Sequence, residues 1–80
     1  MKKIYSRAFI KKLKKHDIKF RRRIMDAISK IPQEGDIKKL KGLKLKNVFR
    51  LRVGKYRVIF IVKEDKIYVL DIDSRGDIYK

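Results

Sequence analysis

The sequence predicts an α+β fold: an N-terminal strand and a helical hairpin packed on a small, mostly antiparallel, curved β-sheet. Three observations predict it. Apolar residues recur at helical spacing as far as Ile31, the period changes to two from Val48 onward, and the later segments are joined by turns of only two residues. The 80 residues read as one domain spanning positions 1–80.

Each element has its own signal. Lys2 to Tyr5 reads as a short strand. Ser6 can cap a helix from Arg7 to about Lys15, with Phe9, Ile10 and Leu13 on its apolar side. Asp17 is a second N-cap, opening a helix to about Ile31 whose stripe is Ile24, Met25, Ile28 and Ile31. Pro32 ends it. Pro32 to Leu43 reads as a connecting loop with Gly35 and Gly42 as turn residues, and with Leu40 and Leu43 tucked onto the core. From Val48 the alternation sends Phe49, Leu51 and Val53 to one face, and Val48, Arg50 and Arg52 to the other. Gly54-Lys55 forms a two-residue turn. Tyr56 to Val62 is almost wholly apolar, which suits a central strand buried on both faces. Glu64-Asp65 then turns the chain into a third strand, Ile67 to Ile72. By the same alternation Arg57 joins Arg50 and Arg52 on the sheet face turned away from the helices.

Charge is the strongest compositional feature. Lysine and arginine number 25 against nine acids, a formal charge of +16. The excess is uneven: residues 1–57 hold 21 of the basic side chains and four of the acids. Such a surface repels itself unless a polyanion neutralises it, and nucleic acid gains affinity directly from basic surface through counterion release. A thermophile's lysine-rich surface would raise glutamate alongside lysine, and glutamate occurs only twice. Membrane binding is disfavoured, because no segment sets a broad apolar face opposite its lysines. The start carries no signal-peptide pattern and no apolar run approaches the ~20 residues that span a bilayer, so the expected location is cytoplasmic. With no cysteine, disulfides and thiolate metal sites are excluded.

Most enzyme signatures are absent, and no cofactor or metal is expected. His16, between the helices, reads as a surface loop residue. Asp71 and Asp73 could in principle hold Mg²⁺, but in this basic setting they are expected to pair with arginines. What remains is Arg50, Arg52, Arg57 and Arg75 with Tyr56 and Tyr79. That set can still cleave RNA, because the substrate brings its own nucleophile, the 2′-hydroxyl. The protein needs only to hold the phosphate and neutralise its oxygens, and arginine does both through paired donors that never deprotonate. Equally, arginines at strand spacing can simply grip phosphates.

Two segments carry a resemblance. Val48-Phe49-Arg50-Leu51-Arg52-Val53-Gly54-Lys55-Tyr56-Arg57-Val58-Ile59-Phe60 resembles the central hairpin of the RelE/ParE toxin superfamily. Asp73-Ser74-Arg75-Gly76-Asp77-Ile78-Tyr79-Lys80 resembles its closing Arg-x-x-x-Tyr signature, and the loop Leu40 to Leu43 also fits. The resemblance implies a RelE-like fold and a toxin that cleaves messenger RNA, typically on the ribosome and without metal, silenced by a cognate acidic antitoxin. It places Arg57 and Arg75 at the phosphate-binding and transition-state positions. Tyr79 falls at the tyrosine that orients substrate or assists proton transfer, and Arg50 where a lysine proposed for acid–base chemistry often stands. Arg52, Lys44, Lys46 and Lys55 are the accompanying RNA-binding candidates. The chain departs from the pattern at Val48, where a second basic residue is usual, and it lacks the Glu and His pair of ribosome-independent relatives. ParE-like members share the scaffold yet poison gyrase, so that reading and a non-catalytic RNA-binding module stay open.

Overall fold

A computed structural model describes residues 1–41 and 46–74. Strand β1 (Lys2–Tyr5) leads into helix α1 (Arg7–Leu13) and helix α2 (Ile18–Ser29). Both predicted caps form. The Ser6 hydroxyl accepts from the Phe9 N–H and donates to the Leu70 carbonyl, so the cap also ties α1 to the far end of the chain. The Asp17 carboxylate accepts from the Phe20 N–H at 2.9 Å. Each helix stops two residues earlier than the apolar spacing suggests. Lys15 and His16 bond back to Lys12 and Leu13, and Lys30 and Ile31 to Ala27 and Ile28. These three-residue closures tighten each last turn. At the second, Pro32 has no N–H with which to continue.

The main correction lies in the segment read as a loop. Asp36–Lys39 is a strand, β2, paired antiparallel with β3 (Val48–Val53). Strand β4 (Tyr56–Lys63) and strand β5 (Lys66–Asp73) complete the sheet. Among the described residues the strand order is β1-β5-β4-β3-β2, antiparallel throughout except that β1 runs parallel to β5. Both hairpin turns have two residues. Gly54 takes φ +60° in the first, and Glu64 and Asp65 take +51° and +62° in the second. Positive φ of this kind matches a turn to the right-handed twist of its strands. A bulge on β5, where the register shifts between Ile59 and Phe60, is the device that bends a sheet.

The core lies between the helices and one sheet face. Phe9, Ile24, Ile28 and Ile31 meet Leu51, Val58, Phe60, Ile67, Val69 and Ile72 there. Three successive β4 residues, Val58, Ile59 and Phe60, are buried, as a central strand covered on both faces requires. Val48, assigned to the outward face, is also buried, at 1% exposed. Ile10 and Met25, read as core-facing, are 40% and 36% exposed. Among the described residues no helix is long and apolar enough to cross a membrane.

Gly35 makes β2 possible. Its φ is +123°, a conformation that L side chains rarely adopt, and a Cβ there would stand 2.7 Å from Cδ1 of the buried Leu51. Gly35→Ala is expected to cost about 2 kcal/mol from strain of this class alone. A urea midpoint unchanged from wild type would show that the backbone relaxes at no cost.

Candidate nucleic-acid interface

The short β3–β4 turn fixes where the arginines stand. Because only Gly54 and Lys55 intervene, Val53 pairs with Tyr56 and Arg52 with Arg57. Residues directly opposite share a face. Continuing the register outward, Asp36 lies opposite Arg52 and Asp73 opposite Arg57. One row of side chains thus crosses four strands: Asp36, Arg52, Arg57, Asp73. The next row is Lys38, Arg50, Ile59, Asp71. The predicted convergence of Arg50, Arg52 and Arg57 on one face is therefore present.

Their environments differ. Arg50 is only 15% exposed, and its guanidinium donates to the Asp36 carbonyl at 3.0 Å and to the Asp36 carboxylate at 3.3 Å. It acts as a clamp between β3 and the edge strand. Arg52 is exposed and reaches the Gly54 carbonyl at 3.4 Å. Arg57 is half-buried, and among the described residues nothing holds its guanidinium by hydrogen bond or ion pair. Two like charges set directly opposite each other repel; Asp36 and Asp73 at the two ends of the row offset part of that repulsion, and a bound anion between the arginines would offset more. Lys46 and Lys55 are both exposed, but they lie at opposite ends of β3. Six strand residues separate them by roughly 20 Å. Lys44, Arg75 and Tyr79 lie outside the described residues.

Among the described residues, Lys12 engages both Asp71 and Asp73, so at Asp71 a lysine stands where an arginine was expected. Lys12 Nζ on α1 lies 2.8 Å from the Asp71 carboxylate and 3.7 Å from that of Asp73. The hydrogen bond to Asp71 raises the Lys12 pKa above its ordinary value, against a smaller opposing effect of burial. His16 is not a free loop residue either. Its ring packs on Phe20 at 4.2 Å with a 33° tilt and meets Tyr56 edge-on at 5.5 Å, while Phe20 and Tyr56 are 4.6 Å apart.

A second surface lies on the opposite side, between the helices. Ile10, Ile18 and Met25 leave a groove of about 390 Å³ with Phe9 at its floor and Lys14, Arg21 and Arg22 around it. Arg21 Nε is buried there without a hydrogen-bond partner among the described atoms. Sequence reading missed this face by assigning Met25 to the core. The signal was present, because Ile18, Arg21, Arg22 and Met25 share one helix side, while Ile24, Ile28 and Ile31 form another.

With this geometry in hand, comparison with known proteins is specific. The profile of the ParE toxin of type II toxin–antitoxin systems, parDE, matches residues 4–79. The RelB–RelE antitoxin–toxin complex of Methanococcus jannaschii contains a similar fold, with a TM-score of 0.77 and 32% identity over 95% of this chain and 94% of that one. The RelE–RelB complex of Pyrococcus horikoshii OT3 aligns with a TM-score of 0.75 and 24% identity over 94% of each chain. The YoeB dimer of Staphylococcus aureus aligns at 0.70 and 18% identity, over 89% of this chain and 92% of that one. These last two share the fold. No curated protein sequence matches. The α+β sheet, the arginine row on its outward face and the near-complete profile match agree: the chain belongs to the RelE/ParE superfamily of type II toxin–antitoxin toxins.

Proposed function

We propose that this toxin is a metal-independent endoribonuclease acting on messenger RNA at the ribosome. The observation that carries the reading is the Arg52–Arg57 pair, two guanidinium groups opposed on an outward sheet face, with Arg57 held by no carboxylate among the described residues. A phosphodiester seated there relieves their repulsion. The 2′-hydroxyl oxygen of the RNA attacks phosphorus, the P–O5′ bond breaks, and a 2′,3′-cyclic phosphate and a 5′-hydroxyl result. Arg57 neutralises the non-bridging oxygens as charge grows on them. Arg75 joins it, and Tyr79 orients the substrate or relays a proton. Arg50, already engaged by Asp36, lends positive charge, since a guanidinium cannot act as a base.

The partner in this reading is an acidic antitoxin. An amphipathic helix of such a protein fits the apolar groove with its carboxylates against Lys14, Arg21 and Arg22, and the similar Methanococcus jannaschii toxin is seen in complex with an antitoxin. The profile match, described as a ParE toxin, favours a second reading, a gyrase poison without nuclease activity. Mapping the 5′ ends of messages after induction separates the two. Cleavage within translated codons is the expected result. Whole messages together with a DNA-damage response would assign the chain to the gyrase branch.

A further inference from the structure

A hollow of about 260 Å³ opens at the end of the sheet on its helix side, lined by Lys12, Lys15, His16, Tyr56, Asp73 and Ser74 around the core residue Ile72. It lies where the α1–α2 turn meets the β3–β4 hairpin. One wall adjoins the arginine row by register, since Asp73 stands opposite Arg57 on β5, whereas Tyr56, the residue before Arg57, turns to the helix side. From this we infer that the hollow is a nucleotide subsite, taking the base and phosphate of the residue that flanks the scissile bond. The inference rests on the RNA-cleaving reading for its substrate, though the hollow has its own evidence.

Three features point to a nucleotide. The His16, Phe20 and Tyr56 rings brace one another at centroid distances of 4.2, 5.5 and 4.6 Å. These tilted and edge-on contacts hold the His16 ring in place before a base arrives, and base–aromatic stacking tolerates any base. Lys15 is exposed at the rim and, among the described residues, is in no ion pair, so it is available to a phosphate. Lys12 is not available in that way. It is spent on Asp71 and Asp73, which fixes the Asp73 carboxylate on the wall. That carboxylate and the Ser74 hydroxyl can accept from base N–H groups while repelling phosphate, so the phosphate is directed to the Lys15 side. An acidic peptide would find a carboxylate and a ring cluster where it needs cations, which favours RNA over a protein partner.

His16 is the only histidine in the sequence, so its ring protons give an isolated NMR reporter. Guanosine 5′-monophosphate should shift the His16 Hε1 resonance upfield in a saturable way, while inorganic phosphate should not. Lys15→Ala, at an exposed site, should weaken the titration with the fold intact. His16→Ala should lower nucleotide affinity by about fivefold or more, as loss of a stacking partner does, and His16→Phe should restore it. Three results overturn the inference: no shift with the nucleotide, an equal shift with phosphate alone, or a shift produced instead by an acidic peptide. If messages stay whole in vivo while the nucleotide still moves His16, the subsite stands and the nuclease reading falls. If Arg57 proves essential to cleavage while His16 stays silent, the reverse holds.

Discussion

Arg57→Ala should lower RNA cleavage by about 10²- to 10³-fold, the usual effect of removing one donor aimed at developing negative charge. It should relieve growth arrest in proportion. The fold should not suffer. Arg57 lies on the outward face, makes no hydrogen bond or ion pair among the described residues, and faces Arg52 directly across the ladder. The substitution removes a like-charge pair with Arg52 and an opposite-charge pair with Asp73, each worth a few tenths of a kcal/mol up to about 1 kcal/mol. The two offset, so the variant should melt close to the wild-type temperature while losing activity, a combination that a merely structural arginine could not give. Arg57→Lys should rescue little, since one ammonium cannot reproduce a planar pair of donors. Undiminished arrest in cells expressing well-folded Arg57→Ala would remove this residue from the chemistry.

Phe60→Ala acts on the other face and should cost about 3–5 kcal/mol. Phe60 is 1% exposed in the middle of β4 and stacks on Phe49 at 5.6 Å. Small domains hold roughly 5–15 kcal/mol in all, so this one truncation removes much of the stability, and the urea midpoint should fall steeply with little change in slope. Ile10→Ala is the matched contrast. Also a large apolar side chain, but 40% exposed, it should stay within about 0.5 kcal/mol of wild type while weakening antitoxin binding. Equal losses from the two would mean that the interhelical groove is core and not a docking surface.

The arginine face was legible because two simple rules sufficed. A two-residue turn sets the register, and a period of two then decides which side chains share a face. The caps at Ser6 and Asp17 were legible for a similar reason, since each is a local bond across three residues. Strand β2 was not. Three of its four residues are charged, and all but Ile37 are exposed, so it carries no alternation of its own. Its order comes from the ladder to β3, and charged edges of this kind guard a sheet against further pairing. Missing β2 also hid the Asp36 clamp on Arg50. The contact of His16 with Tyr56 and the Lys12 pair with Asp71 were missed because those partners lie 40 and 59 positions away, beyond any local pattern. The roles of Lys44, Arg75 and Tyr79 rest on the resemblance alone.

The parallel pairing of β1 with β5, Lys2 opposite Lys66, bears on when the poison comes into being. The first strand to leave the ribosome must wait for nearly the last before the sheet can close, and such distant pairings are paid for in entropy and are slow to form. The arginine row spans β3 and β4, and β4 acquires its second neighbour only when β5 emerges. The arginine row is therefore expected to be held in its final geometry only once β5 has docked between β4 and β1.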